Sequence, residues 1–207
     1  MTARSDVAVV ATQLGREPRG LRAVAHRCPC GLPDVVETAP RLPDGSPFPT
    51  LYYLTCPRAV AAVSGLEAAG MMRRMTARLA DEPTRAEYER AHRDYLARRD
   101  AAAAAAGLEP LPEGIQSAGG MPGRVKCLHA LVAHELAAPG VNLFGREALE
   151  AAGHWWTHGR CVPAPAETVP EDRAPEETVP AETVPETAPE DTVPETAPED
   201  TVPEEVE

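Results

Sequence analysis

The last 45 residues constrain this chain most. From Thr183 it reads TVPETAPED, repeats the same nine residues over 192–200, and starts a third copy at Thr201. Residues 163–207 hold 10 of the 23 prolines and 15 of the 32 acidic residues, opposed by Arg173 alone. A segment of glutamate, proline and small residues without aromatics buries too little apolar surface to offset the entropy of ordering. It is expected to be a disordered, PPII-biased acidic tail. Residues 1–162 are left to build one globular domain. The formal net charge of −12 belongs to the tail, which carries −14, whereas residues 1–162 carry +2. A nearly neutral body excludes a strongly basic nucleic-acid binder. No apolar run approaches the ~20 residues a membrane helix needs. Neither nucleic acid nor membrane is an expected partner; the acidic tail reads first as a repeat expansion with no specific partner, and alternatively as a segment that engages a basic protein.

The N-terminus lacks the apolar h-region and small-residue cleavage site of a secretory signal, so the cytoplasm is the expected location. Thiols stay reduced there unless they are catalytic or bind metal. Five cysteines (Cys28, Cys30, Cys56, Cys127, Cys161) are also an odd number, which argues against a fully paired disulfide framework.

Residues 7–14 suggest a short helix, capped near Ser5-Asp6 and stopped by Gly15. Three strands follow, at 21–28, 34–39 and 50–56, with breaker-rich turns between them. At Pro57 the pattern becomes helical: 57–69, 71–80, and a long polar helix from Pro83 through the alanine run to Gly107. After a loop over 109–123, helices are expected over 125–138 and 146–152, leading to Trp155-Trp156. The fold class is α+β: a small, mainly antiparallel three-stranded sheet with four to six helices packed on it.

Three segments carry the chemistry: Arg27-Cys-Pro-Cys-Gly-Leu-Pro33, Pro47-Phe-Pro-Thr-Leu-Tyr-Tyr-Leu-Thr-Cys-Pro57, and GGMPGRVKCLHALVAH over 119–134. They resemble the signature segments of DUF501, a bacterial family of unknown function common in actinobacteria. The resemblance spans roughly residues 5–160 and not the tail. It implies that Cys28, Cys56, Cys127 and His129 are the usual thiol and imidazole positions of the family, while Cys30 and Cys161 vary. It implies no activity.

Cys56 ends a strand and precedes a helix, and Cys127 falls in the first turns of another. A helix N-terminus favours thiolate, the form needed for metal ligation or nucleophilic attack. Cys28 adds a third sulfur from a turn. Three cysteines and a histidine (Cys28, Cys56, Cys127, His129) would suit a zinc site or an iron–sulfur cluster. On a regular helix, however, Cys127 and His129 point ~160–200° apart, and seven residues separate Cys127 from His134 by ~10 Å. Only one of these histidines can therefore join Cys127.

A competing reading makes this a buried helix with inert thiols and a hydrogen-bonded core histidine. The small residues facing away from its apolar stripe imply that this second face is covered or lines a pocket. A thiol-dependent enzyme is the second functional reading. Its nucleophile would be Cys56 or Cys127, the latter paired with His134 or His26, and Gly119, Gly120, Arg124 and Lys126 would hold an anionic substrate at a helix N-terminus. A third reading is a non-catalytic adaptor that uses the charged helix and the acidic tail.

Overall fold

The computed structural model describes residues 3–112 and 118–163. The expectation of a disordered acidic tail therefore lies outside the described residues, apart from Pro163.

Helix α1 (Arg4–Leu14) leads into an antiparallel sheet of β1 (Leu21–Arg27), β2 (Pro33–Thr38) and β3 (Tyr52–Leu54), in the order β1-β2-β3. The strands fall where the β-branched and aromatic runs predict. Val35 and Val36 on the central strand are both buried, and Val35 pairs with Leu54 and Val36 with Tyr53. β3 is shorter than the run over 50–56. Its flanks still follow β2, with Thr38 N–H on the Leu51 carbonyl at 2.9 Å and Thr55 N–H on the Asp34 carbonyl at 2.8 Å. Leu51 N–H leaves the ladder to donate to Tyr95 Oη at 2.5 Å.

Helices α2 (Pro57–Ala68), α3 (Met71–Arg78) and α4 (Glu82–Ala105) follow, with Pro57 opening the first and Asp81 capping the third through Thr84 N–H at 3.1 Å. The long helix α4 is mostly polar, but Tyr88, Ala91, Tyr95, Arg99 and Ala102 form a buried stripe at three- and four-residue spacing. Helices α5 (Leu128–Ala137) and α6 (Leu143–Ala152) and a short 3-10 helix (Trp155–His158) complete the described part, which is α+β with six α-helices.

Helix α5 is the centre of the packing. It lies against β1, β2 and β3 and also touches α2 and α6. Its approach to α6 depends on Gly145, where a Cβ would run into the Leu131 carbonyl oxygen. Leu128, Leu131 and Val132 of its apolar stripe are buried; of the opposite face, where small residues predict cover or a pocket, His134 is buried and Cys127, Ala130 and Ala137 are half-buried. His134 is fully buried among Tyr52, Tyr95, Asp94 and Asn142. Asn142 Nδ2 donates to Nδ1 at 3.2 Å, so Nε2–H donates to Asp94 Oδ1 at 3.0 Å. Burial lowers the pKa of this imidazole and keeps it neutral. His134 is thus a core hydrogen-bonding residue that ties α4 to the start of α6. It does not pair with Cys127.

Candidate functional site

The segment before α5 departs from the expected helix, and this departure builds the site. Gly119 (φ 69°) and Gly120 (φ 90°) turn the chain back on itself in the left-handed region that favours glycine. A Cβ on Gly119 would lie 2.6 Å from Leu131 Cδ2, and one on Gly120 would lie 2.8 Å from the Arg124 carbonyl oxygen. The Gly119 carbonyl accepts from Lys126 N–H at 2.6 Å and from Cys127 N–H at 3.3 Å, while Arg124 N–H donates to the Gly120 carbonyl at 3.2 Å. Residues 125–127 therefore run without helix, and Cys127 becomes the extended N-cap of α5 (φ −150°, ψ 114°). The helical angle that would separate Cys127 from His129 does not apply.

Cys127 Sγ lies 3.9 Å from His129 Nδ1. The third member comes from α2: Glu67 Oε1 is 3.1 Å from the same Nδ1 and accepts Leu128 N–H at 2.7 Å. One ligand atom from each of Glu67, Cys127 and His129 lies within 4.8 Å of the others. The other ring nitrogen, His129 Nε2, is 3.2 Å from the Val60 carbonyl and 3.2 Å from Ser64 Oγ. A carbonyl can only accept, so Nε2 carries a hydrogen and Nδ1 faces the thiol and the carboxylate. The Cys127 hydrogen bond, the Glu67 charge and the Val60 carbonyl raise the imidazole pKa to about 9 against the effect of burial.

Sequence reasoning missed Glu67. A signal was present: a carboxylate in the last turns of a helix opposes the macrodipole. Here it is compensated by the N-terminus of α5, whose first N–H it accepts.

The remaining expected ligands are elsewhere. Cys28 and Cys56 are outside the Glu67–Cys127–His129 group. Cys28 neighbours Cys30, and Cys56 neighbours Cys161, which also accepts from Gln13 Nε2 at 3.3 Å. All five cysteines are free thiols. Cys56 does cap α2, and the N–H groups of Ala59 and Arg58 favour its thiolate, yet complete burial prevails and pushes the thiol up to about 11. Burial likewise pushes Cys28 up to about 12. The expectation of a thiolate at Cys56 gives way because desolvation outweighs the helix terminus.

A cavity of about 770 Å³ is lined by Cys127 and His129 together with Gly119, Gly120, Lys126, Tyr53 and Thr55. Arg124 is not among its lining residues. The loop amides of Arg124, Lys126 and Cys127 are bonded to the loop's own carbonyls, and Leu128 N–H is bonded to Glu67. The anion that sits at the N-terminus of α5 is thus the protein's own carboxylate, so an external anion would depend on Lys126.

Fold and site together define a small α+β protein in which a carboxylate, a thiol and an imidazole converge beside a cavity. The chain belongs to the DUF501 family, described as a protein of unknown function, which matches residues 24–150. The matched region contains all three converging residues and excludes α1, the 3-10 helix and Cys161. No curated protein and no solved structure shows a significant match to the chain. No helix of the described residues is long and apolar enough to cross a membrane.

Proposed function

We propose that the protein binds one zinc-type divalent ion through Cys127 Sγ, His129 Nδ1 and the Glu67 carboxylate, with a fourth position open to the adjoining cavity. The observation that carries this reading is the convergence of three different donors on one point. Tetrahedral zinc, with Zn–S of about 2.3 Å and Zn–N of about 2.0–2.1 Å, sets sulfur and nitrogen about 3.5 Å apart and nitrogen and oxygen about 3.4 Å apart. The observed 3.9 Å and 3.1 Å need only small adjustments to meet those values. The surroundings suit ligation as well. His129 Nε2–H donates to a backbone carbonyl, the arrangement that orients metal-bound imidazoles, and the Glu67 oxygen is held by a backbone N–H. With one sulfur in the group, the donor set suits a single ion and not an iron–sulfur cluster, which needs several thiolates. Three protein ligands and an open position are the pattern of catalytic zinc sites.

Titration with Co²⁺ tests this. Thiolate-to-cobalt absorption should appear at one equivalent and vanish in C127S and H129A. An unchanged spectrum in C127S would overturn the reading.

One observation favours a second reading. Cys127 lies 3.9 Å from an imidazole held charged by its neighbours, the arrangement of a reactive thiol pair. Under that reading iodoacetamide modifies Cys127 much faster than the other cysteines, and added zinc gives no protection. Under the metal reading zinc protects it.

A further inference from the structure

A second cavity carries polar groups that the Glu67–Cys127–His129 group does not use. Asp34, on the central strand, has a fully buried side chain. Its Oδ1 accepts from His26 Nδ1–H at 2.7 Å, while Oδ2 has no hydrogen-bond partner. Trp155 is 7% exposed, and its Nε1–H is also without a partner. Both residues line one cavity of about 400 Å³, together with His26, Glu150, His154 and Trp156. The indoles meet edge to face at 4.9 Å, and His154 lies 4.8 Å from Trp156. The lining includes two carboxylates and two indoles but no lysine or arginine.

We propose that this cavity binds a small organic cation, an ammonium or guanidinium, which donates to Asp34 Oδ2 and rests against the faces of Trp155 and Trp156. A buried carboxylate oxygen without a donor is costly, and a cationic donor supplies both the missing hydrogen bond and the opposing charge. Indole faces attract cations, and no lysine or arginine in the lining competes for the position, while His26 is engaged at the other carboxylate oxygen, Asp34 Oδ1. The volume is that of a small-molecule site. Trp155 Nε1–H gives a second anchor to a ligand with an acceptor beside its cation. The inference is independent of the metal reading, because no residue is shared between the two sites.

The chain has two tryptophans and both line this cavity, so intrinsic fluorescence reports on it directly. The test is titration of the full chain, in the presence of a chelator, with agmatine, and with pentanoate as an anionic chain of similar length. Agmatine should give a saturable change and pentanoate none. D34N should weaken agmatine binding by at least about tenfold, the loss expected for a charge-assisted hydrogen bond. If D34N fails to fold, W156L, at a half-buried position, should weaken binding by about threefold with an unchanged circular dichroism spectrum. An unchanged signal up to about 10 mM agmatine, equal binding of pentanoate, or full affinity in folded D34N or W156L would overturn the proposal.

Discussion

Replacing Glu67 by glutamine tests the site at the residue that joins its structural and chemical halves. Glu67 Oε1 accepts Leu128 N–H at 2.7 Å and faces His129 Nδ1 at 3.1 Å. Glutamine keeps an acceptor for Leu128 and removes the charge, whereas alanine removes both. In metal-free protein E67Q should therefore lose the charge–dipole part at the α5 terminus, about 0.3–1 kcal/mol, and the ion pair with His129, up to about 1 kcal/mol. E67A also loses the cap, at a cost of about 0.5–2 kcal/mol. With each kcal/mol shifting Tm by roughly 2–4 °C in a protein of this size, E67Q should melt within about 8 °C of wild type and E67A up to about 16 °C lower. Zinc affinity should respond differently. A neutral amide is a poor zinc ligand, and losing a direct ligand costs more than the 10–100-fold typical of an outer-shell partner. E67Q should bind zinc at least about 100-fold more weakly, or about 2.7 kcal/mol. Competition against a chelating dye, beside thermal melts of metal-free protein, reads both quantities. Wild-type zinc affinity in E67Q combined with a low melting point in E67A would make Glu67 a helix cap alone and refute the three-ligand site.

Other outcomes follow from the same geometry. G119A should destabilise the protein by about 2 kcal/mol or more in urea titrations, since it adds strain at φ 69° to a clash with Leu131; a change below about 0.5 kcal/mol would contradict the turn described. Cys28 and Cys56, with thiols pushed up to about 12 and about 11, should resist iodoacetamide at pH 7.5 in the folded protein while metal-free Cys127 reacts, as read by mass spectrometry. Equal rates at Cys56 and Cys127 would refute the burial argument. The depressed pKa of His134 means that the unfolded chain binds the extra proton between that folded value and about 6.5, so this residue's contribution to stability is present above about 6.5 and is lost as pH falls through the window. Nitrogen-15 chemical shifts should show His134 neutral and protonated at Nε2 at pH 6.5; an imidazolium there would contradict the described network.

Much of the fold was legible because its signals are local. Pro57, Pro83 and Gly107 mark helix boundaries, and the aromatic and β-branched run at 50–56 marks the third strand. The start of α5 was not legible. Val125, Leu128, Leu131 and Val132 keep a helical period, but the Gly119 carbonyl holds the amides of Lys126 and Cys127, and that contact delays the helix until Leu128. The site suffered from the same hidden contact. Reading Cys127 as helical directed it away from His129, whereas as an N-cap it faces His129. The convergence of Cys28 and Cys56 on Cys127 failed because both thiols are buried beside other cysteines, a tertiary outcome without a local signal. His134 looked like a partner for Cys127 because its buried partners, Asp94 and Asn142, come from distant parts of the chain.

The most direct measurement is X-ray absorption at the zinc edge of protein loaded with one equivalent of zinc. The predicted spectrum has one sulfur at about 2.3 Å, with the remaining ligands nitrogen or oxygen at about 2.0–2.2 Å. Two or more sulfurs would place the ion at the Cys28–Cys30 or Cys56–Cys161 thiols, and no sulfur would remove Cys127 from the site. Either result would contradict the account.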